Sequence, residues 1–134
     1  MKRILLTLAC IVAFASACST DAPLGKSIGR WTDFGVESMT QECAKGLEYI
    51  EVTMNDVIGK DTTGLKDRVA ALKADVDAAG MKVWSVHLPY SKALDVSLVD
   101  SAKRAKNVNY IKDIIRAAAP FKAGRLVLHP SYDS

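Results

Sequence analysis

Two short stretches decide the reading of this chain: Val83-Trp84-Ser85-Val86-His87-Leu88-Pro89 and Arg125-Leu126-Val127-Leu128-His129-Pro130. Each is a β-branched, apolar run that ends in a histidine, and they hold the only 2 histidines of the 134 residues. Alternation along a strand predicts one face carrying Val83, Ser85 and His87, and the opposite face carrying Trp84, Val86 and Leu88. In the second stretch Arg125, Val127 and His129 share a face, with Leu126 and Leu128 behind them. Proline lacks the N–H donor a ladder needs, so Pro130 ends that strand. Each strand therefore brings a histidine to its C-terminal tip, the edge where parallel α/β sheets place ligands and catalysis.

Working outward, strands alternate with helices. Ile28 to Thr32 reads as a first strand. Ser38-Met39-Thr40-Gln41 offers an N-cap with Gln three residues on, opening a helix that Gly46 closes. Tyr49 to Met54 alternates as a strand with Tyr49, Glu51 and Thr53 on one face. Apolar residues at Leu65, Val69, Leu72, Val76 and Ala79, followed by Gly80, predict a helix of about four turns. Ser97-Leu98-Val99-Asp100 resembles a capping box for a long helix whose apolar line runs Leu98, Ala102, Ala105, Val108, Ile111, Ile115, Ala118, up to Pro120. The order β-α-β-α-β-α-β implies a parallel sheet with right-handed crossovers. Glu51, Ser85, His87, Arg125 and His129 all fall on polar faces. A barrel interior admits such residues near its catalytic end, whereas an open doubly wound sheet is apolar on both faces, so the pattern favours a barrel. No G-x-G-x-x-G and no G-x-x-x-x-G-K-[ST] occurs, which counts against a nucleotide site.

The N-terminus has a different character. Met1-Lys2-Arg3, then an apolar run from Ile4 to Phe14, then Ala15-Ser16-Ala17-Cys18 form an export signal over residues 1–17. The run is shorter than the roughly 20 residues of a membrane span. Cys18 after small residues resembles the lipobox of bacterial lipoproteins, with Cys18 acylated and residues 18–26 as the tether of a domain covering 27–134; an ordinary cut after Ala17 is the alternative. Either way the protein is exported, and the lipoprotein reading anchors it in the cell envelope, at the periplasm or outer membrane. Of the 3 cysteines, Cys10 leaves with the leader and Cys18 takes the lipid, so Cys43 alone stays in the domain and no internal disulfide forms. Cys43, beside Met39 and Leu47, reads as a buried, inert thiol. Lys2 and Arg3 also leave, so 16 basic residues face 15 acidic ones in the mature part, a net charge of +1. That balance gives no field for nucleic acid.

Histidine and glutamate at strand tips can ligate a metal, move protons or hold hydroxyls. The residues alone leave that choice open. The succession Gly46-Leu47-Glu48-Tyr49-Ile50-Glu51-Val52, Gly80-Met81-Lys82-Val83-Trp84-Ser85-Val86-His87 and Leu126-Val127-Leu128-His129-Pro130-Ser131 resembles the xylose isomerase-like TIM barrels. That family includes sugar (phosphate) isomerases and epimerases and the family 2 apurinic endonucleases. The resemblance implies an α/β chain with the TIM (β/α)8 fold. A full barrel has eight units in about 250 residues, and four are legible here, so the chain reads as an N-terminal half. It implies metal-assisted proton transfer next to a carbonyl, with Mn²⁺, Mg²⁺ or Zn²⁺ held mainly by residues of later strands. Glu51, His87 and His129 are then substrate-binding, and in the endonuclease branch histidines such as His87 and His129 are metal ligands. The implied partner is a sugar or polyol, with a membrane reached only through the lipid. A non-catalytic carbohydrate-binding envelope lipoprotein is the third reading. Two unpaired sheet edges also predict association with a second copy.

Mass spectrometry of the mature N-terminus tests the export reading: a chain beginning at acylated Cys18 is expected, and an unmodified Cys18 or another first residue contradicts it.

Overall fold

A computed structural model of the chain describes residues 24–28 and 35–131. The leader, Cys10, the acylation candidate Cys18 and the expected strand residues 29–32 lie outside the described residues. Four strands, β1 (Gly25–Ile28), β2 (Tyr49–Thr53), β3 (Lys82–His87) and β4 (Arg125–Val127), form one sheet in the order β1-β2-β3-β4, every pair parallel. Between them run α1 (Val36–Ala44), α2 (Met54–Ile58), α3 (Leu65–Ala78) and α4 (Ser101–Ala118). β1 begins at Gly25, within the stretch read as tether and three residues ahead of the expected strand start.

Among the described residues the helices and the apolar core lie on one side of the sheet. Met39 of α1, Val69, Leu72 and Val76 of α3, and Ile111 and Ile114 of α4 join Ile50, Val52, Val83 and Val86 of the sheet in a single buried cluster. The opposite face carries Tyr49, Glu51, Trp84, His87 and Arg125, all exposed or half-buried. A sheet with sequential neighbours and helices on one face is singly wound, the arrangement of a barrel wall rather than of a doubly wound sheet. Among the described residues, no helix is long and apolar enough to cross a membrane.

One expectation about faces fails. β2 alternates as read, but β3 contains a bulge: Ile50 pairs Val83, Glu51 pairs Ser85, and Trp84 has no opposite residue. Two consecutive side chains therefore share a face. Trp84 joins Ser85 and His87 on the open side, while Val83 turns into the core with Val86. The driving force is burial. Val83 and Val86 are three residues apart, and strict alternation would leave one of them in water: Val83 if Ser85 and His87 kept the open face, or Val86 with Ser85 and His87 turned into the core. On the open face Trp84 meets Tyr49 edge-on, ring centroids 5.1 Å apart, and the Arg125 guanidinium lies 3.9 Å over its ring.

The helix ends also show which local signals win. α3 stops as predicted: Gly80 adopts φ +75°, its N–H bonds the Asp77 carbonyl at 3.0 Å and that of Met81 reaches Val76 at 3.1 Å, a Schellman closure. α1 starts at Val36 after Gly35, before the expected cap Ser38, which lies inside the helix. α4 is capped by Asp100, whose Oδ1 accepts from Ala102 and Lys103 at 3.0 Å each. Ser97 is not the cap, because its N–H and hydroxyl both turn back to Asp95. The buried line of α4 is Asn107, Ile111, Ile114 and Ala118, while Ala102 and Ala105 are exposed. The β3–α4 loop packs on the first half of this helix through polar contacts, with Asn107 Nδ2 donating to the carbonyls of Ala93 (3.0 Å) and Asp95 (2.8 Å). Cys43 is half-buried, with Sγ 4.0 Å from the Gly80 carbonyl oxygen.

The α2–α3 connection hangs on Arg68. Its guanidinium donates to the carbonyls of Val57 (2.7 Å), Ile58 (2.9 Å), Asp61 (2.8 Å) and Thr63 (2.5 Å). Removing one partner of a charge-assisted set leaves acceptors to be satisfied by water. Arg68→Ala is expected to lower stability by about 1–3 kcal/mol in urea unfolding with an unchanged slope; an unchanged midpoint contradicts that role.

Candidate functional site

The three expected site residues converge at the C-terminal edge of the sheet. Glu51 projects from the middle of β2 onto the open face, and the bulge aligns it with Ser85. Ser85 Oγ donates to Glu51 Oε2 at 2.5 Å, and His87 Nδ1 lies 3.2 Å from Glu51 Oε1. His87 Nε2 lies 2.8 Å from His129 Nε2. The two imidazoles are tilted by only 9° with centroids 4.9 Å apart. The rings are thus nearly parallel and approach each other nitrogen to nitrogen. β4 itself ends at Val127, two residues before His129. The exit is held instead by Leu88 N–H to the Val127 carbonyl at 2.9 Å and Val96 N–H to the Pro130 carbonyl at 3.0 Å.

Proton positions follow from these partners. An ionised Glu51 only accepts, so Ser85 donates from one side and His87 Nδ1–H from the other. In its neutral form His87 then presents a lone pair at Nε2. Two lone pairs cannot face each other at this distance, so His129 donates Nε2–H and keeps its own lone pair at Nδ1. The series Ser85, Glu51, His87, His129 runs from a buried hydroxyl to an exposed imidazole. Chemically it can hold hydroxyl groups or carry a positive charge inward toward a carboxylate.

Arg125, read on the same polar face, is there but at the opposite end of its strand, stacked on Trp84 rather than near the histidines. Two contributors escaped the sequence reading. Tyr90 stands against both imidazoles, 5.4 Å from His87 and 4.8 Å from His129 between centroids, and Asn55 Nδ2 donates to the Tyr90 carbonyl at 3.3 Å. The Pro89-Tyr90 turn after the strand was the available signal for Tyr90. Asn55 had none, because the short helix α2 follows β2 without a break. Among the described residues no group of three or more His, Cys, Asp or Glu side chains is placed to hold a metal ion.

No protein-family model matches the chain, and no curated protein matches it in sequence. Its backbone is similar to the solved structure of a D-tagatose 3-epimerase-like protein, with a TM-score of 0.59 at 20% identity, covering 84% of this chain and 39% of that one. The fold is that of part of a TIM barrel. A second likeness agrees: a xylose isomerase domain protein from Planctomyces limnophilus, TM-score 0.54 at 21% identity, covering 82% of this chain and 41% of that one. The chain thus spans about two fifths of the length of these two structures, and its four β/α units form a partial barrel. In this half barrel the histidines sit at the edge where the fold places its chemistry.

The tautomer assignment is open to direct measurement. Long-range ¹H–¹⁵N correlation spectra are expected to show neutral His87 protonated at Nδ1, and Glu51→Ala is expected to shift it to the Nε2–H form. A His87 that is already Nε2–H in the unaltered protein contradicts the arrangement.

Proposed function

We propose that Glu51, His87 and His129 form the part of a sugar isomerase or epimerase site that holds substrate hydroxyls. The observation that carries this reading is the continuous hydrogen-bonded series from Glu51 through His87 to His129 at the C-terminal edge of a parallel sheet. A sugar offers hydroxyls that both donate and accept, and a neutral imidazole does the same. The reaction is isomerisation or epimerisation by proton transfer next to a carbonyl. Three side chains committed to one another supply binding and orientation. The acid and base of the proton transfer belong to later β/α units of a complete barrel, and these four units by themselves bind without turnover. We take the site to be reached in the cell envelope through a lipid on Cys18.

A divalent cation fits the donor set in part. His87 has Nδ1 fixed by a carboxylate, as a metal-bound histidine commonly does, while its Nε2 is engaged by His129 Nε2. To hold Mn²⁺, Mg²⁺ or Zn²⁺ these two nitrogens would have to give up the 2.8 Å hydrogen bond between them and turn toward a shared ion, with further ligands from later strands. When bound, the ion stabilises negative charge on a substrate oxygen. The same nitrogen pair suits a zinc-dependent phosphodiesterase of the apurinic endonuclease kind, which is the second reading.

The test is saturation-transfer NMR on the mature chain with D-tagatose, D-fructose, D-xylose and myo-inositol, with and without Mg²⁺ or Zn²⁺. Binding of at least one sugar, weakened about tenfold or more by His87→Ala, is expected. Failure to bind any of them, or binding indifferent to His87→Ala, contradicts the sugar reading; Zn²⁺-dependent binding of an abasic duplex in its place supports the second.

A further inference from the structure

Ser85 stands at the bulge of β3 and is buried, and its hydroxyl donates to Glu51 Oε2 at 2.5 Å. The register puts Glu51 directly opposite Ser85 and Thr53 opposite His87. The Glu51 carboxylate therefore reaches His87 along the diagonal, with Oε1 3.2 Å from Nδ1. Neighbouring strands are about 4.8 Å apart, whereas a two-residue step along a strand covers about 6.6 Å, so a diagonal contact needs a side chain aimed toward it. The carboxylate is planar, and holding Oε2 at Ser85 turns Oε1 toward His87. Glu51 is only half-buried, so without a donor at Oε2 the carboxylate gains by swinging outward to water. A residue that merely filled space at this depth would be served as well by alanine.

We propose that Ser85 is a positioning residue of this site: by holding Glu51 it fixes His87 as the Nδ1–H tautomer, and so decides that His87 Nε2 is an acceptor. Ser85 acts through Glu51 and His87 and touches no ligand itself. The consequence falls on what the histidine pair can hold. A hydroxyl group both donates and accepts, so it fits between an accepting His87 Nε2 and a donating His129 Nε2–H, in place of the 2.8 Å contact between the rings. If His87 turns to the Nε2–H form, two donors face each other. His129 must then change tautomer as well before a hydroxyl fits, and the direction of the series is no longer set. The effect on ligand binding rests on the sugar reading of the site; the control of the tautomer does not.

The experiment compares unaltered protein with Ser85→Ala, Ser85→Cys and Ser85→Thr, each checked by circular dichroism and urea unfolding. Alanine removes the hydroxyl, cysteine replaces it with a weak donor of similar size, and threonine restores it. Long-range ¹H–¹⁵N spectra read the tautomer of neutral His87, and saturation-transfer titration reads affinity for D-tagatose and D-xylose. Ser85→Ala and Ser85→Cys are expected to make Nε2–H the major form of His87 and to weaken sugar binding about fivefold or more, while Ser85→Thr keeps the Nδ1–H form and the affinity. If the alanine and cysteine variants lose stability but keep His87 as Nδ1–H, the hydroxyl serves the fold alone and the positioning role is overturned, with the sugar reading untouched. A changed tautomer with unchanged sugar affinity overturns its consequence for the ligand. If the tautomer changes as expected and the unaltered protein binds neither sugar, the control of His87 by Ser85 stands and the sugar reading falls.

Discussion

The site depends on one extra residue in β3. Trp84 has no opposite number in β2, and this bulge resolves a conflict between the pleat and the core. Val83 and Val86 both need burial, each contributing on the order of 1.5–3 kcal/mol relative to exposure, yet a regular strand turns residues three apart to opposite faces. With the bulge both valines reach the helix side, and Ser85 and His87 both reach the open side. In an unbulged register that kept Ile50 opposite Val83, Glu51 would face Trp84 and the Ser85 hydroxyl and the His87 ring would point into the apolar layer; one that kept Glu51 opposite Ser85 would put Val83 in water. Placing those groups in the core without partners would cost several times what the lost ladder pairing does.

Once the register is set, each polar group constrains the next. Ser85, only 4% exposed, needs an acceptor and finds the Glu51 carboxylate. Glu51 has a second oxygen, and it fixes His87. The fixed His87 presents a single nitrogen outward, and that nitrogen meets His129. The carboxylate is thus shared between a structural demand and a functional one. Tyr90 closes the group from the side, carried by a turn whose two preceding residues are buried. The aromatic and cationic row of Tyr49, Trp84 and Arg125 lies lower on the same face and supports the bulge from the open side.

Much of this was legible in the sequence, and the failures share a cause. The helix from Leu65 was readable because its period and its Gly80 stop agreed with each other and with tertiary packing. The convergence of Glu51, His87 and His129 was readable because two histidines occupied one topological position. The face of Trp84 was not, because a period-2 template has no room for an insertion whose reason lies across the core. The buried line of α4 was misread for a related reason: Asn107, a polar residue, is buried by bonding to loop carbonyls that have no signature in the local pattern. Ser38 and Ser97 looked like caps, but the first helix starts two residues before Ser38, and Ser97 is turned back to Asp95 while Asp100 caps α4. For Tyr90 the signal was only the turn at Pro89 after the strand, which does not say that the ring lies against the two imidazoles.

The most direct measurement is the pairing of β2 with β3 in solution. Cross-strand NOEs between backbone protons are expected to join Ile50 to Val83 and Glu51 to Ser85, with Trp84 lacking a β2 partner and its indole showing contacts to Tyr49 and Arg125. NOEs placing Trp84 opposite Glu51, with the indole against the α3 side of the sheet, would contradict the account at its foundation.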